Sequence, residues 1–180
     1  DKYIDHEDTL VSLGVFSMVE GVILYSSFAF LKHFQSLGKN KLLNIVRGIN
    51  FSVRDENIHA QAGAYVFKQL IKERKMGLPK NVKDAIIDAS QHLLEHELEI
   101  INMTFSQGEI DGITATQMSH FVSERIGYCL SQLGLEKEVA PTSDISKWFY
   151  KGINNIQVND FFTGQGREYS RDWNESKFTW

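Results

Sequence analysis

Residues 54–59 read RDENIH, set between NIVRGINFSV (44–53) and AQAGAYVFKQL (60–70) in one long amphipathic run. Leu42, Val46, Ile49, Val53, Ala60 and Phe67 recur at helical spacing, so the run predicts a helix from about Asn40 to Lys75, closed by Gly77 and Pro79. At 3.6 residues per turn Glu56 falls inside that apolar stripe, and His59 lies one turn on beside it. A carboxylate and an imidazole at i and i+3 project from one helix edge towards a common point. Carboxylate oxygen with neutral imidazole nitrogen suits iron, manganese or zinc. Alone, Glu-x-x-His is a weak signal, more often a solvated or mutually hydrogen-bonded pair.

A second oddity lies upstream. Leu10 to Leu31 is a run of 22 residues whose one charge is Glu20. Such a run is long enough to cross a bilayer, but a carboxylate at its centre would cost roughly 2.5–3.5 kcal/mol. Four serines interrupt it, and no second apolar span follows. The better reading is a buried helix of a soluble protein, continuous from about Asp8 to Phe34 and ended at SLGKN by Gly38. An ionised Glu20 among Phe, Val and Leu then needs a cation, and no basic residue stands close along its own helix. A metal ion would suffice.

The rest of the chain fits a helical protein. Its 180 residues suit one domain, and two prolines with no evident strand pattern point to an all-α fold. A net charge of −4 with no basic stripe argues against nucleic-acid binding. A single cysteine, Cys129, excludes an internal disulfide and a Cys-built metal site, and fits a reducing, cytoplasmic compartment. A third helix is expected from an Asn81 N-cap to Phe105, and a fourth from a Thr114/Gln117 capping box to near Gly134. A short one is expected over Ser143–Asn155. His92, Glu95, His96 and Glu99 have ligand-like spacing but read as a polar face or inter-helix contacts. From Asn159 the composition is that of a flexible tail. The start, DKYIDHEDTL, lacks a basic n-region, so it does not read as a signal peptide; it reads as the middle of something longer.

A Glu in the centre of one apolar helix and Glu-x-x-His in the centre of the next make half the ligand set of a ferritin-like dimetal bundle. MVEGVILYSSFAFL (18–31) followed by IVRGINFSVRDENIHAQAGAYVF (45–67) resembles the C-terminal half of the class I ribonucleotide reductase small subunit. The likeness extends through LEHELEI (94–100), RIGYCLSQLGL (125–135) and KWFYKGI (147–153). It implies an all-α, ferritin-like bundle, C-terminal half only, over residues 1–158, with a tail over 159–180 that docks on a large subunit. It implies Glu20, Glu56 and His59 as ligands of a dinuclear centre, iron ahead of manganese. Tyr25, Ser27 and Phe28 follow Glu20 in register, and Leu24 stands where an aromatic is common. Asp55 would link a metal-bound histidine to the radical-transfer route, and Tyr169 would relay the radical in the tail. The implied activity is reduction of ribonucleotides to deoxyribonucleotides, with a dimer of small subunits as the partner of the large one.

The remaining ligands and the radical-bearing tyrosine of that family lie on two earlier helices, and nothing here stands in for them. The chain alone is therefore expected to be inactive and poorly stable, as a fragment, an excised domain or a split-gene product completed by an N-terminal half. Two other readings stay open: a helical partner-binding protein with relic ligands, and another ferritin-like dimetal oxidase.

Overall fold

Apolar periodicity becomes helix throughout the residues described by the computed structural model, which are 9–75, 77–135 and 142–154. The order is α1 (Thr9–Val22), α2 (Tyr25–His33), α3 (Leu43–Glu73), α4 (Lys80–Thr104), α5 (Ala115–Gln132), α6 (Asp144–Phe149) and α7 (Lys151–Asn154). Among the described residues there is no strand, only an isolated bridge between Ile110 and Ile113 in the α4–α5 turn. The architecture is the expected all-α, ferritin-like arrangement, with α1 at its centre against α3, α4 and α5. Leu10, Met18, Val22, Tyr25, Phe67, Ile86, Phe121 and Phe149 fill the interior. The 31 residues of α3 span about 46 Å at 1.5 Å per residue.

Local signals placed most boundaries. Thr114 caps α5 by accepting from the Gln117 N–H, and the Gln117 side chain returns the bond to the Thr114 N–H, as a capping box requires. Gly134 follows α5 at φ 76°, where glycine carries no Cβ penalty. Two boundaries differ from expectation. Pro79, not Asn81, occupies the N-cap of α4, because its fixed φ and extended ψ start the helix without a side-chain cap. Leu42 leads into α3 in a left-handed conformation and is exposed, so the apolar stripe begins at Val46. The last short helix is two, α6 capped by Ser143 and α7 following at once.

The largest departure is in the first helix. Instead of running unbroken to Phe34 it stops at Val22, and α2 starts afresh at Tyr25. Leu24 between them has φ 70°, a conformation that costs an L-residue roughly 1–2 kcal/mol. Both new helix ends are met by buried charges from distant helices. At the end of α1, Arg125 Nε donates to the Gly21 carbonyl at 2.6 Å. At the start of α2, the carboxylate of Glu97 accepts from the Leu24 N–H at 3.2 Å and from the Ser26 N–H at 3.0 Å. A cation at a helix C-terminus and an anion at an N-terminus each complement the local dipole. Glu97 is fully buried and Arg125 nearly so. Thr9–His33 is apolar and long enough to cross a membrane by length and composition, but it is bent at Leu24, and half of its most apolar window is buried in the protein. It is a core helix.

Beyond α2 the chain folds onto the α4–α5 turn. His33 is buried, with Nε2 2.8 Å from the Asp111 carbonyl oxygen and 2.7 Å from Lys39 Nζ; Lys39 and Lys41 both approach the Asp111 carboxylate. Burial holds the His33 pKa below the ordinary imidazole value, with the Asp111 carbonyl opposing. An imidazole kept neutral by folding binds its proton more readily when unfolded. Its contribution is therefore complete above about pH 6.5 and is lost as the pH falls below that through the folded value. His33→Gln should flatten the fall in urea midpoint between pH 7 and pH 5; profiles that stay parallel to the parent chain would count against this.

Candidate metal centre

Three small-residue contacts bring the ligand-bearing helices together. Ser17 on α1 donates its hydroxyl to the Ala60 carbonyl on α3 at 2.6 Å. A Cβ placed on Gly63 would lie 3.2 Å from Ser17 Cβ, and one on Gly21 would lie 3.3 Å from Ala60 Cβ and 2.5 Å from Cys129 Sγ. Backbones that approach this closely leave side chains on the flanking edge little distance to cover. Glu20 from α1 and Glu56 and His59 from α3 meet there, with donor atoms all within 4.8 Å of one another. His59 Nδ1 lies 3.0 Å from a Glu20 oxygen and 3.7 Å from a Glu56 oxygen.

The electrostatics of the cluster follow from that crowding. Burial, then the hydrogen bond that protonated Glu56 donates to Glu20 and the Glu20 charge, pushes the Glu56 carboxyl above the usual carboxylate range, with His59 opposing. Two carboxyl groups in hydrogen-bond contact favour holding a proton, or a cation, between them. A divalent ion with oxygen and nitrogen ligands at about 2.0–2.2 Å draws its donors within roughly 4.4 Å of one another, close to the spread seen here. The donor set thus fits one ion; a dinuclear centre needs further ligands than these three.

The setting is wetter than a dry interior. Glu20 and Glu56 are partly exposed and His59 is more than half exposed, because the α1–α3 edge carrying them faces outward. Apolar residues border it. Phe16 and Leu24, one turn before and after Glu20, are exposed, and Phe51, Ile58 and Tyr65 recur every seven residues along exposed α3.

Arg54 donates to the Ile153 carbonyl and so ties α3 to α7. Asp55 is exposed and does not join the cluster. Asn57 accepts from Arg125, and Ile58 points out. The Asp88–Glu99 side of α4 is the solvated polar face expected for it, with His92, Glu95, His96 and Glu99 exposed. Tyr169 and the whole 159–180 segment lie outside the described residues.

Glu97 and Arg125 escaped the sequence reading, although the test that found Glu20 and Glu56 applies to both. Glu97 falls in the stripe Ile86, Ser90, Leu93, Ile101, and Arg125 in the stripe Met118, Val122, Cys129, each buried. A charge inside an apolar stripe was the available signal.

Comparison with known proteins places the chain in a family. The family described as "Ribonucleotide reductase, small chain" matches residues 1–141. A probable ribonucleoside-diphosphate reductase small subunit of Invertebrate iridescent virus 3 is 26% identical over 174 residues, covering 93% of this chain and 46% of the viral protein. The ribonucleoside-diphosphate reductase subunit beta of Halalkalibacterium halodurans is 26% identical over 181 residues, covering 95% of this chain and 50% of that one. The chain thus spans about half the length of these relatives. A crystal structure of a putative class I ribonucleotide reductase from Bacillus halodurans shares the fold, with a TM-score of 0.62 and 24% identity over 81% of this chain and 42% of the other. With a family match over most of its length and the fold to go with it, the chain belongs to the ribonucleotide reductase small-chain family.

Proposed function

We propose that this chain supplies the C-terminal half of a ribonucleotide reductase small subunit, with Glu20, Glu56 and His59 as its share of a dinuclear metal centre. The observation that carries the reading is the convergence of those three donors from two helices on an outward edge bordered by apolar residues. A ligand cluster left open on one side, in a chain half as long as its relatives, calls for covering helices that bring the remaining ligands. Those helices belong to an N-terminal half, in the same longer chain or a separate polypeptide, and the completed subunit pairs with a second copy.

When bound, the centre supplies the oxidising power that makes a radical for reduction of ribonucleotides on a large catalytic subunit. Iron is the preferred metal and manganese the alternative, since the donor types serve both. The protein's own part is positional. The small-residue seam sets the separation of Glu20 from Glu56 and His59, and the His59 ring turns Nδ1 to the shared point. Asp55, exposed on α3 beside Glu56, would receive a histidine from the N-terminal half and hold it by its ring N–H. Tyr169 and the tail would carry the radical onward to the large subunit, and the assembly would work in the cytoplasm.

The test joins this chain to an N-terminal half and counts metal. The complex should hold two metal ions and give an electron paramagnetic signal after exposure to oxygen. Glu56→Ala and His59→Ala should each reduce metal content at least tenfold at limiting metal, since lost ligands weaken a site by no less than lost supporting contacts do. Metal content unchanged by both substitutions would sink the ligand assignment.

A further inference from the structure

Arg125 is a buried charge that joins several helices. Besides the Gly21 carbonyl, its guanidinium reaches Asn57 Oδ1 at 3.1 Å, the Tyr25 hydroxyl at 3.0 Å and the Tyr150 hydroxyl at 3.4 Å. The Tyr25 ring lies 4.3 Å and the Tyr128 ring 5.0 Å from its central carbon. These four acceptors are neutral, so the charge is held by dipoles and aromatic faces. Two of them stand at telling positions: Gly21 follows Glu20 on α1, and Asn57 follows Glu56 on α3.

We infer that Arg125 is a positioning residue for the metal site, a single planar group on α5 that fixes the two carboxylate-bearing helices to each other at the level of Glu20 and Glu56. This rests on the ligand reading above and adds to it. The fork of a guanidinium is what the task needs. Nε is committed to the Gly21 carbonyl in the last turn of α1, which holds that helix end in place one residue past Glu20. Nη2 is committed to Asn57, which sets the rotation of α3 about its axis beside Glu56. An ammonium at the same place has no such fixed directions and cannot serve both helices in the same plane. Tyr25 and Tyr128 flank the group and restrict its tilt, so a shift of one helix is transmitted to the other instead of being absorbed by the side chain.

The test uses the full chain and Co2+ alone, whose visible absorption reports both uptake and ligand geometry. The unsubstituted chain should take up one Co2+. Arg125→Lys and Arg125→Met should weaken uptake about tenfold to a hundredfold, the range seen when groups that orient metal ligands are lost. They should also shift the absorption bands. Ile86→Ala, a buried substitution packed near Gly14 and matched for lost thermal stability, should leave both band positions and Co2+ midpoint unchanged. Asn57→Leu removes only the α3 arm of the contact at a partly exposed residue, so it keeps the test alive if the arginine variants do not fold; it too should weaken uptake and shift the bands. No uptake by the unsubstituted chain, or uptake indifferent to Glu56→Ala and His59→Ala, overturns the ligand reading itself. Uptake lost in those two variants but untouched in Arg125→Met and Asn57→Leu, or lost equally in Ile86→Ala, overturns the positioning role alone.

Discussion

Glu97→Ala should lose about 3–5 kcal/mol of unfolding free energy, a large share of the 5–15 kcal/mol typical of a folded domain. The carboxylate is fully buried and accepts the two main-chain N–H groups that open α2. Alanine leaves both without a partner, at roughly 1–3 kcal/mol for each buried donor, and opens a cavity where the side chain stood. Water has little access to repair the loss at Ser26, whose side chain is also buried. Glu97→Gln is the informative companion. Its oxygen can keep one N–H, but its amide N–H2 must face the other donor, so an intermediate loss of about 1–3 kcal/mol is expected. Urea unfolding followed by circular dichroism measures all three chains. An alanine variant within about 0.5 kcal/mol of the parent, the range of ordinary surface substitutions, would show that the break needs no cap from α4.

Gly21→Val should cost about 1–2 kcal/mol and spread the ligand cluster at the same time. Valine improves on glycine in helix propensity by less than about 1 kcal/mol. Against that, even its Cβ would fall 2.5 Å from Cys129 Sγ and 3.3 Å from Ala60 Cβ, before the two methyl groups are placed. Overpacking of this kind forces helices apart at roughly 1–3 kcal/mol, and here the helices forced apart are α1, α3 and α5. Gly48→Ala on α3 provides the contrast. Its Cβ would meet nothing within 4 Å, so only the propensity gain of about 1 kcal/mol remains. Thermal melts should therefore move in opposite directions for the two variants. Two shifts of the same sign would mean that the seam is looser than its distances indicate.

Much of this molecule could be read from the chain because the signals are local. Thr114 and Gln117 announce α5 by their spacing, and the Glu20 and Glu56–His59 oddities are visible as polar groups inside apolar periods. The break at Leu24 was not legible for a physical reason. Ile23, Leu24 and Tyr25 contain neither glycine nor proline, and nothing within a turn competes for their amides. What bends the chain arrives from 73 residues downstream through Glu97 and from 104 residues downstream through Arg125. Tertiary capping overrode a run whose own pattern favours one rod. The openness of the ligand edge was hidden for a different reason. A helical stripe says which side chains avoid water but not which molecule covers them, and Glu56 satisfies the stripe equally well beneath its own chain or beneath another.

The seven-residue recurrence of Phe51, Ile58 and Tyr65 bears on how the purified chain behaves in a tube. Their rings and branched carbons form a rail with a repeat of about 10.5 Å along α3, all of it in contact with solvent. Sulfate or phosphate at high concentration strengthens the tendency of such a rail to hide itself, so the isolated polypeptide should salt out earlier than a globular protein of its size. Solubility in concentrated sulfate is therefore a simple gauge of how much of that rail any companion molecule has covered.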